Sequence, residues 1–162
     1  MALRNIRESD LKLILKWRNH PSVRLCMFSQ DEIQYEAHKA WFEKEKNSRN
    51  SKWLIYKDKE GNPLGVVSFT QIDTHSNHAF WGFYKDPLSP PGTGKIMCNE
   101  ALIYCFDILG LNKINAEVLE SNVVSQKFHE SLGFVVEGVF KEHYFSNGKY
   151  ESIIRFARKV SD

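Results

Sequence analysis

At 162 residues, with 42% apolar and 26% charged residues, the chain has an ordinary globular composition and enough length to bury a core. Twenty-two Lys and Arg against 20 Asp and Glu leave a net charge of +2, too mild for the basic stripe that nucleic acid demands. No run approaches a membrane span, Met1-Ala2-Leu3-Arg4 opens no apolar leader, and Cys26, Cys98 and Cys105 lack metal-ligand spacing. One domain over residues 1–162 in a reduced, cytoplasmic compartment is expected, with no nucleic-acid or membrane partner and no metal.

Leu3 to Arg7 reads as a short opening strand. Ser9-Asp10 then offers an N-cap for a helix through Leu11, Ile14, Leu15 and Trp17, which His20-Pro21 stops. A second helix spans Asp31 to about Asn47. Trp53 to Tyr56 and Leu64 to Ile72 form a hairpin turning at Asp58 to Asn62, and an aromatic strand follows from His78 to Asp86. A third helix runs from Gly94 to Leu109, a fifth strand from Lys113 to Leu119, and a short helix from Asn122 to Leu132, closed by Gly133. Two final strands, Phe134 to Phe145 and Tyr150 to Val160, enclose Ser146-Asn147-Gly148, a strong turn signal. This order predicts an α/β (α+β) fold, a mixed sheet of seven strands covered by four helices. The crossover through the third helix makes strands four and five parallel.

The segment Pro90-Pro91-Gly92-Thr93-Gly94-Lys95 links the aromatic strand to the third helix. A glycine-rich turn at a helix start presents unpaired N–H groups and the positive end of the helix dipole, which suits a pyrophosphate. A tight strand-to-helix turn without a ligand is the alternative.

Two segments, Ser89 to Gly94 and Glu117-Val118-Leu119-Glu120-Ser121-Asn122 through Ser125, Phe128 and His129 to Leu132-Gly133-Phe134, together resemble the GCN5-related N-acetyltransferase (GNAT) superfamily. The first is similar to its pyrophosphate loop and the second to its strand–helix signature. The resemblance implies a splay between strands four and five that receives acetyl-CoA as co-substrate. Trp17-Arg18-Asn19-His20-Pro21, Val23-Arg24, Met27, His38, Trp41-Phe42, Gly65 to Thr70, Trp81 to Tyr84 and Glu137 to Tyr150 further resemble one bacterial subgroup. That subgroup acetylates the 4-amino group of UDP-4-amino-4,6-dideoxy-N-acetyl-β-L-altrosamine on the route to pseudaminic acid. A UDP-amino sugar is then the implied partner, with a protein N-terminal acetylase or a non-catalytic CoA sensor as alternatives. A homodimer through the final strand edge follows by analogy only.

The resemblance implies roles residue by residue. Glu117, in an otherwise apolar strand, is the candidate base, or else a charge facing solvent. His129 stands where many relatives carry an acid tyrosine; it either protonates the departing thiolate or is a buried helix histidine bonding a carbonyl. Asn122 caps its helix and contacts the pantetheine arm, and Ser125 faces coenzyme A. Backbone around Phe83 and Tyr84 pairs with pantetheine and polarises the acetyl oxygen. Gly92, Thr93, Gly94 and Lys95 cradle the diphosphate, although the family's Arg or Gln is Ser89 here and the two prolines donate nothing. Arg18, Arg24 and His38 are candidates for the acceptor's phosphates, and Trp17, Met27 and Trp41 for walling its uracil and sugar, against ordinary core packing.

Overall fold

The computed structural model describes residues 2–162. It contains β1 (Leu3–Asn5), α1 (Leu11–Asn19), α2 (Pro21–Arg24), α3 (Tyr35–Glu45), β2 (Lys52–Lys57), β3 (Pro63–Asp73), β4 (His78–Lys85), α4 (Thr93–Ile103), β5 (Lys113–Leu119), α5 (Val123–Ser131), β6 (Val135–Ser146) and β7 (Lys149–Lys159). One seven-stranded sheet results, ordered β1-β2-β3-β4-β5-β7-β6, mixed in direction as expected. No helix among the described residues is long and apolar enough to cross a membrane.

The feature that positions the site is a defect in this sheet. β4 and β5 run parallel but pair only from His78–Phe80 to Lys113–Asn115. Beyond Phe80 they diverge, so the β5-facing edge of β4 has no ladder partner there. The other side of β4 stays fixed to β3, through pairs such as Val67 with Phe83 and Val66 with Tyr84. β5 is equally fixed to β7 over its whole length. Two rigid half-sheets thus share a short hinge of three rungs and open into a V.

Strand alternation assigns the two faces. Val66, Tyr84, Phe80, Asn115, Glu117 and Arg155 follow one another across the register on the face covered by α1 and α3. There Ile6, Leu11, Ile14, Trp17, Phe42, Ile55 and Val66 form a second, smaller core. The opposite face carries the main core, including Phe69, Trp81, Met97, Ala116, Val118, Phe134 and Phe156, beneath α4 and α5.

Several local expectations are corrected. Asp10 does not cap α1; its carboxylate accepts from Arg4 at 2.7 and 2.9 Å and from the Arg7 amide at 2.8 Å, tying β1 to the helix start. Pro21 opens α2 rather than only ending α1, because His20 caps it by accepting the Ser22 amide, and proline is favoured in a first turn. Five α-helices therefore stand among the described residues where four are expected. The second expected helix starts late, at Tyr35, because Asn19 binds Ile33 through both its amide (2.7 Å) and its carbonyl oxygen (2.8 Å) and holds the preceding segment irregular. The third ends as a wide π turn over Tyr104–Ile108.

The closing hairpin follows its turn residues, with Asn147 at φ 53° and Gly148 at φ 77°. A different glycine is held by space rather than by φ. A methyl group on Gly65 would run into Met97 Sδ and stand 3.0 Å from the Tyr84 carbonyl oxygen. Gly65→Ala is expected to destabilise the fold by about 1–3 kcal/mol, the usual range for overpacking. Thermal melts should read this as roughly 2–4 °C of Tm per kcal/mol in a chain of this length.

Candidate active site

The V between β4 and β5 opens into a cleft of about 670 Å³. Trp81 to Lys85 line one wall and Ala116 to Leu119 the other; Gly94 and Met97 of α4 and Asn122, Val124, Ser125, Phe128 and His129 of α5 close one side. Ser22, Val23, Cys26, Met27 and Phe28, from α2 and the loop after it, close the other. The cleft thus has one half under α5 and one half under α2, and Glu117 belongs to the second by strand alternation.

At the α4 end, Gly92 adopts φ +88° as the N-cap, a conformation that favours glycine. Thr93 is buried and turned inward, its Oγ1 donating to the Pro90 carbonyl at 2.7 Å. Its amide also donates to Pro90, whereas the amides of Gly92, Gly94 and Lys95 make no backbone hydrogen bond. Those three free donors at a helix start form a ready anion site. Lys95 is exposed and lies outside the cleft. The nearer cation is Lys85, whose stem passes 3.7 Å from where a Cβ on Gly94 would be and whose Nζ donates to Ser89 Oγ at 3.1 Å. Ser89, which stands where the family carries Arg or Gln, steadies a lysine four residues earlier, a pairing across a turn that spacing alone does not announce.

Asn122 caps α5, its Oδ1 accepting the Ser125 amide at 3.1 Å. Gln126 pins this helix start by donating to the carbonyls of Leu119 and Glu120 at 3.2 and 2.7 Å, so α5 begins at a fixed place beside β5. Gly133, at φ +86°, ends the helix, and the Phe134 amide returns to the His129 carbonyl at 3.1 Å.

His129 is only 4% exposed. Its Nδ1 lies 2.8 Å from the Ser125 carbonyl, one helical turn back, and its Nε2 accepts the Trp81 indole N–H at 3.1 Å. The carbonyl requires a proton on Nδ1 and the indole requires a lone pair on Nε2, so the ring is neutral with both nitrogens occupied. Burial lowers its pKa below the ordinary 6.5, against the opposing hydrogen bond to the Ser125 carbonyl. A general acid needs a transferable proton aimed at the leaving group. This histidine has none, and the acid role expected of it is withdrawn in favour of the structural alternative. Trp81, its partner, was not among the expected site residues, although its position in the aromatic strand is the signal that could have found it.

The unfolded chain takes up protons on histidine near pH 6.5, while buried His129, like buried His38, takes them only at lower pH. Stability is therefore complete above about 6.5 and falls as pH drops below it. Melts from pH 7 towards pH 5 should show a declining Tm. His129→Ala should make the decline shallower, cost about 1–3 kcal/mol by orphaning the Trp81 N–H, and leave the shape of the pH–rate profile unchanged.

The acceptor candidates divide. Met27 lines the cleft. Trp17 is 2% exposed in the second core and His38, on α3 itself, is 4% exposed, and neither lines the cleft. Trp41 stacks on His38 and meets Trp53 edge-on, beside a separate small pocket. These three assignments are corrected to packing. Arg18 lies beside Tyr84; its Nη2 donates to the Ser29 carbonyl at 2.9 Å, while Nη1 is buried without a partner. Burial lowers the Arg18 pKa and pushes the Tyr84 phenol well up. Arg24 donates to the Gln30 carbonyl at 3.1 Å, outside the cleft lining. Glu117 lines the cleft, with Arg155 Nη1 3.6 Å from its Oε1.

Residues 1–135 match the family described as acetyltransferase (GNAT) domain. Acetyltransferase PseH of Campylobacter jejuni is 30% identical over 148 residues, spanning 89% of this chain and 90% of that protein. Spermidine N(1)-acetyltransferase of Vibrio cholerae is 26% identical over 156 residues, spanning 96% of this chain and 90% of that protein. A crystal structure of spermidine N-acetyltransferase from Vibrio cholerae in complex with CoA and spermine superposes with a TM-score of 0.90 at 26% identity, covering 98% of this chain and 95% of that one.

Proposed function

The chain belongs to the GNAT acetyltransferase family and is an acetyl-CoA-dependent N-acetyltransferase; within that activity, we propose that its acceptor is the 4-amino group of a UDP-linked amino-dideoxy sugar. The observation that carries this choice is the charge of the cleft. Glu117 is the one carboxylate among its lining residues, and that carboxylate already faces Arg155. Lys85, the lysine of the lining, has no carboxylate partner among the described residues. A diphosphate meets one cation in this lining, Lys85, and no unpaired acid; Arg18 and Arg24 stand outside the lining, with Arg18 Nη1 buried. A polyamine, carrying several positive charges, would meet like charge and a single shared acid. The likeness to PseH of Campylobacter jejuni supports the same reading.

In the reaction, acetyl-CoA lies along the open edge of β4 with its diphosphate at the amides of Gly92, Gly94 and Lys95 and beside Lys85. Unpaired amides of β4 near Phe83 and Tyr84 polarise the thioester oxygen. The neutral amine approaches from the α2 side, its nitrogen bonds to the acetyl carbon, and the C–S bond breaks. The amine proton passes to Glu117, directly or through water. Sulfur departs as thiolate beside Ser125; with a thiol pKa of about 8.5 it needs no side-chain acid.

The structural likeness to spermidine N-acetyltransferase gives a second reading, a polyamine acceptor. One assay separates them: purified protein, acetyl-CoA, and a panel of UDP-amino sugars, spermidine and N-terminal peptides, with thiol release as readout. Turnover with the UDP-amino sugar at least about tenfold above the others is expected. Turnover confined to spermidine or to peptides would reject the sugar assignment, and binding of acetyl-CoA without transfer to any amine would favour a sensor.

A further inference from the structure

We propose that Arg155 is a positioning residue for Glu117, holding the proton-accepting carboxylate over the crotch of the V by stacking on the last rung that joins β4 to β5. This rests on the reading of Glu117 given above. Arg155 lies directly across from Glu117 in the β5–β7 register, and both side chains emerge on the acceptor face. Its guanidinium carbon stands 4.3 Å from the centre of the Phe80 ring and 6.0 Å from that of Phe140. Both distances are within the range of cation–π attraction. Phe80 is the final paired residue of β4 before the strands part, opposite Asn115. The plane that supports the arginine is therefore fixed to both arms of the V at their junction.

The 3.6 Å between Nη1 and Oε1 has a chemical meaning. It is too long for a good hydrogen bond, so the carboxylate lone pairs stay open, yet short enough for charge to orient the group. A base locked in a bidentate pair would have its accepting sites filled; this one is steered and left vacant. Arg155 Nε is also buried with no partner. Its place is set by the ring beneath it, a role a planar guanidinium can fill and an ammonium cannot. Among the described residues Glu117 is the one acid within ion-pair distance of Arg155, and Phe80 and Phe140 are the rings beside its guanidinium.

The test is a double-mutant cycle on the full chain, with acetyl-CoA and whichever amine the acceptor panel identifies. Arg155→Met should lower kcat by up to about 100-fold, the loss that follows displacing a reacting group by an ångström. KM for acetyl-CoA should hold, since the arginine lies away from the diphosphate cradle. In the Glu117→Gln background the same change should cost less than about twofold, because the residue through which it acts is gone. Arg155→Lys should recover only part of the loss. Phe80→Leu, which removes the platform and leaves the cation, should repeat the pattern more weakly if Arg155→Met proves too unstable to assay. Full additivity with Glu117→Gln, or unaltered kcat in Arg155→Met, would overturn the proposal. Unaltered kcat in Glu117→Gln alone would instead overturn the reading of the base on which it rests.

Discussion

Gly94→Glu should abolish acetyl-CoA binding without unfolding the protein. The two halves of that expectation come from different observations. A Cβ at this position would meet Lys85 Cδ at 3.7 Å, Lys85 Cε at 3.9 Å and Phe128 Cζ at 4.0 Å, all ordinary van der Waals contacts, and the backbone angle there is one any residue adopts. Replacing a glycine inside a helix also removes its entropic handicap, so stability should change by no more than about 0.5–1 kcal/mol. The new carboxylate, however, lies among the free amides of the first turn of α4, where the diphosphate must sit. It would occupy the dipole end, draw Lys85 into an ion pair, and set a negative charge against the diphosphate. A rise in Kd of at least about 100-fold, some 2.8 kcal/mol, is expected by calorimetry. Gly94→Ala, which adds bulk without charge, should lose far less. Unchanged affinity in Gly94→Glu alongside a normal melt would remove the cradle from the start of α4.

What the chain disclosed in advance follows from how local each feature is. β5 was legible to the residue, Lys113 to Leu119, because an apolar run between Gly110 and Asn122 admits one reading. The glycine turn and the Asn122 cap were legible for the same reason, since their geometry is decided within four residues. The N-terminal third was not. Trp17, His38 and Trp41 have the composition of a ligand wall, and nothing local distinguishes aromatics that wall a cleft from aromatics that pack a second core. Only the sheet face beneath α1 and α3 makes that distinction. His129 was visible as a departure from the family's tyrosine, but its neutrality depends on Trp81, 48 residues away. Arg155 was invisible altogether. Its placement opposite Glu117 is a matter of register, and its place over Phe80 depends on where two strands stop pairing.

Glu117→Gln carries the other large expected effect. The substitution keeps size and shape, so the V and the diphosphate cradle should be untouched and KM for acetyl-CoA should stay within about twofold. What is lost is the capacity to take a proton from the attacking nitrogen, and kcat should fall by roughly 10²–10⁴, the range for a general base. The pH dependence separates this from a packing defect. As pH rises, solvent deprotonates the amine and its adduct unaided, so the gap between variant and wild type should narrow towards alkaline pH. A defect arising from misplaced substrate would stay constant instead. Acceptor chemistry sharpens the contrast. A sugar amine flanked by electron-withdrawing carbons loses its proton more readily than an alkylamine of lysine type, whose pKa is near 10.4. The recovery should accordingly begin at lower pH with a UDP-amino sugar than with any alkylamine the enzyme accepts. Wild-type kcat in Glu117→Gln across pH 6 to 9 would leave the single acid of this cleft as a surface charge, and the amine would have to release its proton to water alone.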